Sequence, residues 1–186
     1  MWGKGHFLNG DPRRALVAGD AAAYRAMVDR YGAAMFRVAC RLLGSRHDAE
    51  DAVQEVFVAM ARHPERLASV ANMRAYLFVS LRHAAERIGR TQRRHPAGGF
   101  EESYGPVGDD RAGRAVDDSE TAERLWALAQ RLPAQQREVL ALKIQGELSF
   151  REIGEILGIG VNTAASRYRY ALEKLRHMAE EHDESR

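Results

Sequence analysis

Residues 149–176 read SFREIGEILGIGVNTAASRYRYALEKLR, and their order of polar, apolar and glycine residues decides the fold. Ser149 and Glu152 stand at the spacing where a helix N-cap and the residue three on satisfy each other's backbone N–H groups. Ile153, Ile156 and Leu157 form the buried side of the short helix that follows. Gly158 suits a left-handed turn after it, with Ile159 and Val161 packing into the angle. Asn162 is expected to cap a second helix, on which Ala164, Tyr168, Ala171 and Leu175 recur at helical spacing and face inward. Thr163, Ala165, Ser166, Arg167, Arg169, Tyr170 and Arg176 are left outside. A short helix, a tight glycine turn and a helix with polar and basic residues near its start can set a recognition helix in a DNA major groove. Thr163, at the helix N-terminus, suits a phosphate; Ser166, Arg167 and Arg169 are candidates for base edges or backbone. An ordinary helical hairpin is the alternative. Upstream, LPAQQREVLALKIQ (132–145) supplies a supporting helix, with Pro133 near its first position.

Working outward, the chain before this unit divides into two stretches of opposite charge. Residues 1–94 hold 16 basic and 9 acidic residues, residues 95–123 hold 2 and 8, and residues 124–186 hold 10 and 9. The net +2 is therefore a sum of +7, −6 and +1. The stretch 95–118 contains five Gly and two Pro, with few aliphatic side chains and no helical period. Such a segment cannot bury enough surface to offset its ordering entropy, so it is expected to be a flexible acidic linker. The expected fold is all-α, with two small helical domains at 13–94 and 119–178.

The first domain carries helical periodicity in Tyr24, Val28, Tyr31, Met35, Val38 and Leu42, with Asp20 as N-cap and Gly44 after the last turn. A second helix follows Ser45, buries Ala49, Val53, Val56, Phe57 and Met60, and stops before Pro64. Its other face collects Glu50, Asp51, Gln54 and Glu55. Like charges three and four apart cost helix stability, so this is either a solvated acidic face or a docking face for a basic partner. Asn72 is expected to cap a third helix to about Arg94, whose apolar stripe is Met73, Leu77, Ser80, Leu81, Ala84 and Ile88. Beside that stripe run Tyr76, His83, Arg87, Arg90 and Arg94, with Arg82 and Arg93 on the opposite edge. An aromatic ring and a ladder of guanidinium groups suit a nucleic-acid single strand, by stacking and by pairing with phosphates. An Arg-rich solvated face is the alternative.

Composition bounds what else the chain can be. With 186 residues and 45% apolar content, two small cores can form. One cysteine, Cys40, permits no intramolecular disulfide and no cysteine-based zinc site. It sits among Val38, Ala39, Leu42 and Leu43 and is expected to be a core thiol. The His residues show no metal-ligand spacing. No secretory signal and no spanning segment is evident, so a reduced, cytoplasmic protein without membrane insertion is expected. No catalytic site, metal or cofactor is expected.

With these motifs in view, the chain resembles the bacterial RNA polymerase sigma factors of the extracytoplasmic-function (ECF) family, which keep only regions two and four. DAEDAVQEVF (48–57) is the most specific piece; MRAYLFVSLRHAAERIGRTQRR (73–94) and the 132–176 stretch carry the rest. The resemblance spans about residues 16 to 177, apart from the linker. It implies an alternative sigma factor that binds core RNA polymerase, recognises −35 and −10 promoter elements and initiates transcription. It assigns Glu50, Asp51, Gln54 and Glu55 to polymerase binding. Leu67, Tyr76, Arg82, His83, Arg87, Arg90, Arg93 and Arg94 fall to the −10 element. Asn162, Thr163, Ser166, Arg167, Arg169 and Tyr170 fall to the −35 element. An anti-sigma factor is a further partner it implies. Tyr76, His83, Arg87, Leu67 and Tyr170 depart from the family's usual residues, and the departures bear on promoter preference rather than on docking. A DNA-binding regulator that never touches polymerase is the competing reading, and it leaves the acidic helix and acidic linker idle.

Overall fold

Capping side chains fix where the helices begin. The computed structural model describes residues 12–94 and 116–184. Helix α1 (Pro12–Val17) leads into α2 (Ala21–Leu43). The Asp20 carboxylate starts α2 by accepting from the Ala22 N–H at 2.8 Å, and Gly44, at φ +74°, ends it in the left-handed region. Ser45 Oγ accepts from the Asp48 N–H at 3.3 Å and opens α3 (Arg46–Arg62). A 3-10 turn over Pro64–Ser69 follows. Asn72 Oδ1 accepts from the Ala75 N–H at 3.1 Å and opens α4 (Met73–Arg94). Each such cap contributes about 1 kcal/mol.

The second half comprises α5 (Val116–Ala129), α6 (Ala134–Ile144), α7 (Phe150–Leu157) and α8 (Val161–Glu184). No strand occurs among the described residues. Helix α5 begins earlier than the sequence reading has it, so Val116, Asp117 and Asp118 are helical rather than linker. The rest of the expected linker, 95–115, lies outside the described residues. Pro133 holds the N-cap position of α6 rather than its first turn; its carbonyl accepts from the Gln136 and Arg137 N–H groups at 2.9 and 3.0 Å. No helix among the described residues is long and apolar enough to cross a membrane.

Helices α2, α3 and α4 pack pairwise around Met35, Val38, Val56, Met60, Leu77, Phe78 and Leu81. Ala39, Ala49 and Ala52, all fully buried, let the helix axes approach closely. Cys40 lies in this core, and burial pushes its thiol up from the ordinary value. In the second half α6, α7 and α8 enclose Val139, Leu142, Ile153, Ile156 and Ala164. Helix α5 adds a second cluster against α8, with Trp126, Ala129, Leu140, Ala171, Leu175 and Met178.

The two halves are not separate bodies on a string. Helix α7 packs on α4 and α6 packs on α2. The apolar cluster therefore runs unbroken from Leu77 and Phe78 to Val139, Leu148 and Ile153. Periodicity assigns each helix a buried face but does not say that two such faces meet across a module boundary.

Candidate nucleic-acid interface and partner face

Two of the three carboxylates on the acidic face of α3 pair with arginines, and the third, Asp51, stands beside His47. Arg46 Nε donates to Glu50 at 3.0 Å, His47 Nε2 stands 3.7 Å from Asp51, and Arg87 reaches across from α4 to Glu55. Glu50, Asp51, Gln54 and Glu55 are all exposed. These are surface pairs, each stabilising by about 1 kcal/mol or less, and they leave the face open to a larger basic partner.

Along α4 the expected ladder is partly present. His83, Arg87 and Arg90 are exposed, and Tyr76 is half-buried at the edge of the core. Arg82 points elsewhere: its Nε donates to Glu138 of α6 at 2.8 Å and its Nη2 to Glu86 at 2.9 Å. Arg90 is paired loosely with Glu86 at 3.9 Å. Arg93 and Arg94 are on the helix backbone, but their side chains lie outside the described residues. Leu67 differs most from expectation. It is fully buried at 0% exposure in the 3-10 turn, where it packs into the three-helix core and offers no surface to a base. The resemblance put it where the family usually has a stacking aromatic; here its apolar side chain is used by the core.

The α7–α8 unit has the geometry that its sequence dictates. Ser149 Oγ accepts from the Glu152 N–H at 3.3 Å, and the Glu152 carboxylate accepts from the Ser149 N–H at 2.8 Å. Gly158, at φ +65°, ends α7. The Ile159 N–H then donates back to the Gly154 carbonyl at 3.0 Å, which sets the sharp turn. One detail is corrected. Helix α8 begins at Val161, and the Ala164 N–H bonds to the Gly160 carbonyl at 3.0 Å. Gly160 therefore holds the cap position and Asn162 lies within the first turn, because the chain turns back two residues earlier, against Gly154. Asn162, Thr163, Arg169 and Tyr170 are exposed, while Ser166 and Arg167 are half-buried. No acidic residue stands in the first turn of α8, so the partial positive charge of its N-terminus is open to an anion. The Arg169 guanidinium stacks over the Tyr170 ring at 5.2 Å. Phe150 packs against Tyr168 at 5.6 Å and holds the two helices at their angle.

Two residues escape the sequence reading. Arg41, at 5% exposure, is buried in the midst of the α2 core stripe. It donates both terminal nitrogens to Glu123 at 2.9 and 3.2 Å and lies 4.8 Å over the Trp126 ring. Arg74 Nη2 donates to the carbonyls of Gly146 and Glu147 at 2.7 and 3.1 Å, and its Nη1 to Glu152 at 3.3 Å. A signal for Arg41 existed, since an arginine between Val38 and Leu42 falls on the apolar arc. For Arg74 there was none, because its partners are far along the chain. Among the described residues no group of three His, Cys, Asp or Glu is arranged to hold a metal ion.

Burial alone would raise the Glu152 pKa. The hydrogen bonds from Ser149 and the nearby Arg74 guanidinium outweigh it, and the group sits below the ordinary carboxylate value. Its charge therefore stabilises the fold fully above the unfolded value, and that stabilisation is lost as pH falls through the depressed folded one. Glu152→Gln is expected to cost about 0.5–1 kcal/mol at neutral pH. In urea titrations repeated toward acid, the gap from the parent chain should close; a gap independent of pH would contradict this.

Comparison with known proteins follows the same division. The sigma-70 region 2 model matches residues 27–95 and the sigma-70 region 4 model matches residues 122–175. ECF RNA polymerase sigma factor SigL of Mycobacterium tuberculosis is 35% identical over 164 residues, which is 86% of this chain and 90% of that one. ECF RNA polymerase sigma factor ShbA of Streptomyces griseus is 31% identical over 147 residues, 74% of each chain. Among solved structures, CnrH in complex with the cytosolic domain of CnrY superposes with a TM-score of 0.67 at 23% identity, over 91% of this chain and 95% of that one. The sigma factor RpoE of Bartonella quintana, solved with the anti-sigma factor NepR, gives 0.65 at 21% identity, over 84% and 96%. These two likenesses are of fold.

Proposed function

From the premise that this chain belongs to the ECF family of RNA polymerase sigma factors, we propose that it is a promoter-specificity subunit acting by binding alone. It joins core RNA polymerase, brings it to a promoter with −35 and −10 elements, and helps to open the start site. The exposed acidic side chains of α3, namely Glu50, Asp51, Gln54 and Glu55, dock on a basic surface of the polymerase. Asn162, Thr163, Ser166, Arg167, Arg169 and Tyr170, on the first turns of α8, face the −35 major groove. Tyr76, Arg82, His83, Arg87, Arg90, Arg93 and Arg94 of α4 receive the −10 single strand; Leu67 supports that helix from the core. The acidic linker follows the polymerase's nucleic-acid channel, which attracts a polyanion. An anti-sigma factor is the third partner, and the cytoplasm is the place of action. No step of this role asks a side chain to perform covalent chemistry.

One observation supports the reading more than any other. A helix-turn-helix with an open, acid-free N-terminus and an acidic helix with an exposed face occur in one chain. A DNA-binding regulator needs the first and has no use for the second.

The test is run-off transcription. Core RNA polymerase with the purified chain, offered a library of genomic fragments, should yield transcripts from a small set sharing two spaced elements. Core alone should yield none of them. If the chain confers no new start on any fragment, the reading is wrong.

A further inference from the structure

We propose that Arg13, on α1, is a positioning residue for the −10 strand, acting through the loop that starts α4 and through Tyr76 on its first turn. The role rests on α4 as the helix that receives the strand. Helix α1 lies ahead of residues 27–95, the stretch with the region 2 likeness, and that likeness gives it no part in recognition.

Helix α1 has six residues, too few to persist as an isolated helix. Its neighbours hold it. It packs on α2 and on the 3-10 turn. Leu16, at 4% exposure, joins the same apolar cluster as Leu67 of that turn. From this seat Arg13 Nη1 donates to the Val70 carbonyl at 3.0 Å, across 57 residues of sequence. Arg13 is half-buried, whereas Arg14 beside it is exposed.

Val70 is where the chain leaves the 3-10 turn for α4. Its N–H donates to the Leu67 carbonyl at 3.1 Å and closes the turn. Its backbone is then extended, at φ −75° and ψ 110°. Only Val70, Ala71 and Asn72 link the turn to α4. Ala71 is exposed and carries a single methyl, so its side chain anchors nothing. Asn72 Oδ1 is taken up by the cap. Arg13 therefore fixes the carbonyl side of Val70 as Leu67 fixes its N–H side, and the direction of the link follows. From Leu77 onward α4 is set by the core, where Leu77, Phe78 and Leu81 are buried. Its first turn is not. Tyr76 is half-buried, and its N–H bonds to the Asn72 carbonyl at 3.0 Å, so its placement is inherited from the link. Stacking of a base on a ring depends on the ring's position.

The experiment uses holoenzyme assembled from core and the full chain. The probe is the fluorescein-labelled non-template strand of a promoter recovered by run-off transcription. Tyr76→Leu should weaken binding about tenfold, through lost stacking, and Arg13→Ala about fivefold. The double variant Arg13→Ala/Tyr76→Leu should bind as Tyr76→Leu does, because one residue acts through the other. Arg13→Lys, which keeps a donor, should restore the parent affinity, and Arg14→Ala, equal in lost charge, should not weaken binding. The slope of log affinity against log salt should stay at the parent value in Arg13→Ala, since Arg13 touches a carbonyl and no phosphate. A slope smaller by about 0.7 would make Arg13 a phosphate contact and overturn the positioning role. Single effects that multiply in the double variant would overturn it too. So would an Arg13→Ala chain with a lower unfolding midpoint but parent affinity, which marks a role in stability alone. If Tyr76→Leu weakens binding and Arg13→Ala does not, only the positioning role falls. If Tyr76→Leu binds as the parent does, the strand reading of α4 falls and takes the role of Arg13 with it.

Discussion

Gly154→Val is expected to destabilise the second module by about 3 kcal/mol and to abolish its DNA binding. A Cβ at Gly154 would stand 2.8 Å from the Ile159 carbonyl oxygen and 3.7 Å from the Val161 nitrogen. Both neighbours are backbone, one in the turn between α7 and α8 and one at the first residue of α8, so relief requires the helices to separate. Overpacking against atoms that cannot move costs roughly 1–3 kcal/mol or more, and a branched side chain adds two further methyl groups. A module of this size has few kcal/mol to lose. The recognition helix would also change its angle to α7, which a binding assay feels before an unfolding assay does. Gly158→Ala is the informative comparison. Gly158 has φ +65° but nothing within 4 Å of a Cβ, so only the left-handed conformation is penalised, at about 1–2 kcal/mol. Urea unfolding followed by helical circular dichroism, with filter binding of genomic fragments, orders the two. A valine at 154 that costs less than alanine at 158 would refute the packing argument.

The second large effect concerns the partner face. Replacing Glu50, Asp51 and Glu55 together by Lys is expected to abolish co-migration with core RNA polymerase, an affinity loss of at least about a hundredfold, with the fold retained. Placing like charges across an interface costs several kcal/mol. The fold should survive because the side chains are 54%, 54% and 47% exposed and their ion pairs are of the weak surface kind. Arg87 loses Glu55 and gains a like-charged neighbour, but it is 57% exposed and can turn to water. Native gel migration with purified core, beside the circular dichroism spectrum, checks both halves. Retained co-migration would remove α3 from the docking surface.

Much of the architecture could be read from residues close in sequence. Asp20, Ser45, Asn72 and Ser149 cap helices as expected because a cap involves only the next three residues. Gly44 and Gly158 stop helices for a reason contained in one residue. Asn162 shows the limit of this. The cap moved two residues upstream because the Ile159–Gly160 backbone folds against Gly154, a contact that the capping preference of Asn cannot foresee.

The candidate site was less accessible. Arg82 belonged by periodicity to a strand-binding ladder, yet it is engaged by Glu138, 56 residues away. Leu67 belonged by resemblance to a base pocket, yet it is wholly core. Arg74 drew no attention, yet it holds oxygens from three residues of the other module. In each case the deciding neighbour comes from a different helix.

By itself, then, the sequence determined most of the helices and caps, the helix-turn-helix and the family, since these depend on side chains within one or two turns of each other. The tertiary structure decided how the modules stand together, which arginines face solvent and which face carboxylates. The physical reason is that burial and ion pairing depend on the whole packed chain. A charge count along the sequence records how much of each sign a segment holds. Only the fold determines that the excess of one module is set against the carboxylates of the other.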